Sequence, residues 1–116
     1  EAVDRCKAYL EAGADGIMIH SRLEDGREIM DFCKLYQQFG LGRPLIVVPS
    51  SFDRITETEF AAAGVNVVIY ANHMLRAAYP AMLEVATTIL KNERCFDVRP
   101  KCLSIKQILE MIPGTK

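Results

Sequence analysis

A small set of polar residues stands where it could handle an anion. His20 and Ser21 follow the short apolar run Gly16–Ile19. Ser50 and Ser51 follow Pro44–Val48, after Pro49, while Asn72 and His73 follow Val67–Tyr70. If these runs are parallel strands, their C-terminal ends gather imidazole, hydroxyl and amide groups, with Arg22 beside the first histidine. In α/β folds that end of the sheet faces the ligand crevice. Neutral donors of this kind suit a carboxylate or a phosphate. Histidine titrates near neutrality in water, so His20 could also move a proton. Each residue fits a plainer role as well. A histidine at a strand end can simply hydrogen-bond, Asn72 and His73 can cap a following helix, and Ser50 and Ser51 can complete a turn after Pro49. Arg76, one turn further on, fits a solvated ion pair as well as an anion contact. Glu24 and Asp25 read as a solvated loop, and Asp15 as a turn residue at the other end of its strand. No strand end offers a carboxylate, so a hard-cation site cannot be built from these strands alone. A nucleophile elbow, a P-loop and a dinucleotide glycine fingerprint are all missing.

The elements that must position these groups follow from periodicity. Residues 1–12 place Val3, Cys6 and Leu10 on one helical face, and Gly13 then suits a left-handed C-terminal cap. The first strand is expected over 15–20, as an apolar run without alternation that is buried on both faces. Residues 27–39 return to helix through Ile29, Phe32, Cys33 and Tyr36. The second strand is Pro44–Val48. Thr56 and Glu59 have capping-box spacing and start a short helix that carries Phe60 inward and closes at Gly64. Val67–Tyr70 form the third strand. Proline inside a helix costs about 3 kcal/mol, so Pro80 predicts a short turn over 73–78 and a new helix from Pro80 to Asn92. Its buried stripe would be Met82, Val85, Ala86, Ile89 and Leu90. Residues 93–103 read as irregular. Ser104 and Gln107 open a last helix with the face Ile105, Ile108, Leu109 and Ile112, ended by Pro113 and Gly114. Glu11–Ile17 (EAGADGI) echoes Ala62–Val68 (AAGVNVV), a recurring αβ unit that implies parallel strands and right-handed crossovers. Such units build either a small open sheet or part of a (β/α)8 barrel, which needs on the order of 250 residues when complete.

The totals narrow the classes. With 116 residues, half of them apolar, and a net charge of −1, the chain can form one core but offers no electrostatic footprint for nucleic acid or an anionic membrane. No apolar run approaches the roughly 20 residues that span a bilayer. The chain opens at Glu1 directly in a helical pattern, without a secretory leader, and is expected to be a cytoplasmic piece of something longer. Cys6 and Cys33 fall on apolar helical faces as small buried hydrophobes. Cys95 and Cys102 could pair, but free thiols in a reducing compartment are the expectation. The four have no zinc spacing and no histidine close in sequence.

The stretches AGADGIMIHS (12–21), PLIVVPSSF (44–52), VVIYANHMLRAAYPAM (67–82) and SIKQILEMIPGT (104–115) together resemble, in order and spacing, the C-terminal half of the phosphoenolpyruvate mutase family. That family is a branch of the isocitrate lyase superfamily of modified (β/α)8 barrels. The resemblance implies a partial TIM barrel of the α/β class, covering 1–116. It also implies an enzyme that interconverts phosphoenolpyruvate and phosphonopyruvate, forming the carbon–phosphorus bond of phosphonates. His20 matches the active-site histidine of the IHS-type motif, with Ser21 beside it. Ser50 stands where the family commonly has threonine. Asn72 and Arg76 carry over as motif members. The small anionic substrate and Mg2+ are implied too. The metal ligands, the gating loop and a substrate arginine are expected in an N-terminal half outside this sequence, and the fragment alone is expected to be inactive. The family's exchange of its last barrel helix implies a homo-oligomer, with the face Ile105–Ile112 available for it. Phosphonopyruvate hydrolase or a related C–P or C–C lyase shares the motifs. A non-catalytic α/β module that binds an anion or a partner is the alternative of another class.

Overall fold

Three short apolar runs become three parallel strands in a computed structural model of the chain, which describes residues 1–40, 42–112 and 114. It divides into two units, Glu1–Ala71 and Asn72–Lys116.

The first unit alternates helix and strand: α1 (Ala2–Glu11), β1 (Ile17–Ile19), α2 (Arg27–Gln38), β2 (Leu45–Val47), α3 (Glu57–Ala62) and β3 (Val67–Val68). The sheet order is β1-β2-β3, all parallel, with Ile17 opposite Leu45 and Ile46 opposite Val67. Asn66 lengthens this ladder. Its side-chain oxygen accepts the Leu45 N–H at 2.8 Å and its own N–H donates to the Leu45 carbonyl at 2.9 Å. The α2 face lies buried as the spacing predicts, with Ile29, Phe32, Cys33 and Tyr36 packed into one core with Leu45, Val47, Phe52 and Phe60. The capping box at α3 is complete, with Thr56 and Glu59 bonded reciprocally. The internal repeat also has a physical identity. At Gly13, the Gly13 and Ala14 N–H groups donate back to Leu10 and Tyr9, and at Gly64 those of Gly64 and Val65 donate to Ala61 and Phe60. Both are Schellman closures, and both glycines hold the positive φ that this closure requires, 99° and 83°.

One expectation fails in β1. Met18 is 59% exposed, so the strand is not buried on both faces. Successive side chains point to opposite faces. Ile17, Leu45 and Val47 lie buried in the core, whereas Met18 and Val67, in one row with half-buried Ile46, have little covering them.

The second unit holds α4 (His73–Asn92), a 3-10 helix (Phe96–Lys101) and α5 (Ile105–Met111). Here α4 is one helix with Pro80 inside it, not the turn and new helix expected. Proline forfeits a single backbone bond. The 20-residue helix keeps bonded turns on both sides, and Ala77, Ala78 and Ala81 around the ring are the best helix formers. The stripe expected to be buried is not: Met82 and Leu90 are 59% and 80% exposed, and none of α4 is fully buried. Apolar periodicity marks a face that can be covered, and within this unit the cover is partial: Val85 and Ile89 are half-buried, while Met82, Ala86 and Leu90 are exposed. Residues 93–103, read as irregular, contain the 3-10 helix, whose Val98 is buried and whose Lys101 pairs with Glu84 of α4. Ser104 and Gln107 form the predicted capping box. The α5 face Ile105, Ile108, Leu109 and Ile112 is exposed. Pro113, expected to end this helix, lies outside the described residues. All four cysteines are free thiols, Cys6 and Cys33 buried, Cys95 and Cys102 exposed. No helix among the described residues is long and apolar enough to cross a membrane.

Candidate functional site

His20 is the first residue beyond β1, and Ser50 lies shortly beyond β2. Because Ile19 stands opposite Val47 in a parallel pair, the chain leaves the sheet at the same rim both times. β3 ends there too, where the Ile69 N–H donates to the Val47 carbonyl at 2.9 Å. The His20 ring is exposed and tilts by 54° over the buried Phe52 ring, with centroids 5.9 Å apart. Phe52 belongs to the loop that carries Ser50, so the contact ties the first strand end to the second. His20 also lines two clefts. One, of about 460 Å³, runs between α1 and β1 past Arg5, Tyr9 and Met18. The other, of about 430 Å³, is shared with Ser21 and Glu28.

Ser21 is only 7% exposed. Its hydroxyl accepts the Leu23 N–H at 3.1 Å and donates to the Glu28 carboxylate at 2.6 Å. Ser50 is half-buried, and its N–H donates to the Val48 carbonyl at 2.8 Å in a tight turn. Among the described residues no hydrogen bond to the Ser50 hydroxyl is seen. Two polar pairs beside the rim are already engaged. The Arg27 backbone N–H and guanidinium bond to Asp25 and hold its carboxyl below the usual range. Tyr70, beyond β3, donates to Glu57 at 2.7 Å, which raises the phenol above its usual value.

Asn72 is the first residue of the second unit, immediately before α4. Its carbonyl accepts the Arg76 N–H at 3.0 Å, but its side chain makes no capping bond. Arg76 is exposed on α4. The rim of the first unit therefore unites His20, Ser21 and Ser50, while Asn72 and Arg76 belong to the second unit. Sequence reasoning missed Phe52 and Glu28 as neighbours of the site. Phe52 sits in a quoted motif and could have been found there. Glu28 lies seven residues from Ser21, and no local rule links that spacing across a loop.

Among the described residues no three His, Cys, Asp or Glu side chains cluster to hold a metal. The strand-end donors are neutral, so this set of residues does not fit Mg2+.

What the arrangement can do is bind an oxyanion through neutral donors at a sheet rim. Comparison with known proteins shows the family. The sequence model of the phosphoenolpyruvate phosphomutase family matches residues 1–90. A phosphoenolpyruvate phosphomutase of Tetrahymena pyriformis is 37% identical over 111 residues, which is 96% of this chain and 36% of that protein. Among solved structures, the phosphoenolpyruvate phosphomutase of Streptomyces platensis subsp. rosaceus superposes with a TM-score of 0.81 at 32% identity, over 93% of this chain and 37% of that one. A phosphonopyruvate hydrolase in complex with oxalate and Mg2+ gives 0.78 at 39% identity, over 94% and 38%. The chain thus spans little more than a third of each relative. It belongs to the phosphoenolpyruvate phosphomutase family.

Proposed function

We propose that this chain is the C-terminal portion of an enzyme interconverting phosphoenolpyruvate and phosphonopyruvate, and that residues 1–116 form part of its (β/α)8 barrel. The poorly covered row Met18, Ile46 and Val67 supports the barrel, since closure would pack such a row into the interior layers. The exposed apolar faces of α4 and α5 suit burial against the rest of that barrel, or exchange of α5 with a second subunit.

In the forward direction the phosphorus–oxygen bond of the enol ester breaks and a phosphorus–carbon bond forms at the methylene carbon. The phosphoryl group and the enolate both carry charge that fixed donors can stabilise. His20 would direct its imidazole at the carboxylate or phosphoryl oxygens, with Ser50 adding a hydroxyl. Magnesium, present in the hydrolase relative, would be held by residues outside this sequence, and nothing in this chain's own part depends on its geometry. One observation carries the reading. His20, the family's motif histidine, stands on the same rim as the loop bearing Ser50, with its ring against Phe52 of that loop.

A second reading is favoured by the higher identity to the hydrolase structure than to the mutase structure. There the phosphoryl group passes to water, releasing pyruvate and inorganic phosphate. One assay separates the two: phosphonopyruvate and Mg2+ are given to the full-length protein and followed by phosphorus NMR. A growing phosphoenolpyruvate signal supports the mutase and inorganic phosphate the hydrolase. If neither forms, both readings fail and an anion- or partner-binding module remains. The 116-residue chain alone should convert nothing, because half a charge-stabilising site cannot hold the transferring group.

A further inference from the structure

We propose that Ser21 and Glu28 are a pair of positioning residues that lock the turn carrying His20, and that Ser21 does not itself contact the substrate. This rests on the reading of His20 as a substrate-binding residue.

A serine hydroxyl has one hydrogen to give. In this structure Ser21 gives it to Glu28 at 2.6 Å and accepts the Leu23 N–H at 3.1 Å. Nothing remains to donate to a carboxylate or phosphoryl oxygen, and the free side of the hydroxyl is a lone pair that an anion avoids. The carboxylate beside it adds like charge. Ser21 is also 7% exposed, whereas His20 next to it is exposed. The distance matches a charge-assisted O–H···O bond, the stronger kind. It spans the loop from the end of β1 to the first turn of α2, where the helix N-terminus favours a negative charge. The His20 backbone is thereby held from one side by this bond, while its ring rests on Phe52 from the other. A catalytic group displaced by about 1 Å can lose on the order of 100-fold in rate, so the pair acts on turnover through His20.

The test uses the full-length protein with phosphonopyruvate and Mg2+. Ser21→Ala and Glu28→Ala should each lower kcat at least tenfold and move KM less than threefold. The double variant should be no slower than the slower single one. Glu28→Gln keeps an oxygen that accepts the serine hydroxyl and should return kcat to within about threefold of the parent. The proposal is overturned if Ser21→Ala raises KM while Glu28→Ala changes neither constant, or if the two losses multiply. Unchanged turnover in His20→Ala would instead overturn the site reading beneath it. A second readout needs no turnover: amide hydrogen exchange at Leu23 in the full-length protein. Glu28→Ala should speed it tenfold or more, while Glu24→Ala, on the exposed loop, should not. Unchanged Leu23 exchange in Glu28→Ala would sink the proposal even for a protein that turns over neither compound.

Discussion

Replacing Gly16 by alanine should destabilise the first unit by about 2 kcal/mol, and the structure says where the cost arises. A Cβ at residue 16 would lie 2.9 Å from the Pro44 carbonyl oxygen, 3.1 Å from Pro44 Cγ and 3.3 Å from Ile46 Cδ1. The oxygen is backbone and cannot rotate away. It is also the acceptor of the Ile17 N–H, at 2.9 Å, where β1 meets the start of β2. Relief requires the two chains to part by a few tenths of an ångström just where the ladder begins. Overpacking of this kind costs roughly 1–3 kcal/mol. A weakened hydrogen bond adds up to about 1 kcal/mol. The stiffer unfolded chain of alanine returns roughly 0.4–1 kcal/mol. The net, near 2 kcal/mol, corresponds to a Tm lower by roughly 8–16 °C for a unit of this size. Urea titration followed by far-ultraviolet circular dichroism, with a thermal melt beside it, measures both. A midpoint equal to or above the parent's would mean that the approach of Gly16 to Pro44 is not tight, and the register placing His20 at the rim would lose its anchor.

Three further outcomes can be checked on the same material. Thr56→Ala should cost about 1 kcal/mol through loss of the α3 cap, read as a urea midpoint shift. The Thr56 N–H and hydroxyl hold the Glu59 carboxyl below its usual range. A depressed folded value means that this contribution is present above the ordinary carboxylate pKa and fades as pH falls through the folded one. Between about pH 6 and about pH 3 the parent should therefore lose stability that Glu59→Gln never had, and parallel curves would refute the linkage. Iodoacetamide at about pH 8 should modify Cys95 and Cys102 quickly. Cys6 and Cys33, buried and with thiols pushed up by desolvation, should react at least about tenfold more slowly. Peptide mass spectrometry resolves the four sites, and one common rate would contradict the packing.

Much of the fold could be read before any coordinates, and the physical reasons differ from element to element. The boxes Thr56–Glu59 and Ser104–Gln107 are legible because both partners lie within one helical turn. The α2 face is legible because Ile29, Phe32, Cys33 and Tyr36 repeat at helical spacing. Pro80 misleads because its penalty is local while helix continuity is cooperative over many residues. Met18 misleads because apolarity says that a side chain can be buried, not which face of the sheet has a cover. At the site, His20 and Ser50 are visible as strand-end residues. The bond that occupies Ser21 is not, because Glu28 is reached across a loop whose path no spacing rule encodes.

The order β1-β2-β3 repeats the order of synthesis. Each strand finds its partner in the strand made just before it, with one helix between, so assembly can keep pace with a ribosome. A growing end of this kind adds one αβ unit at a time without disturbing the pairs already made. Breaking or fusing such a gene between units would leave every earlier pairing intact, which makes unit boundaries natural places for recombination.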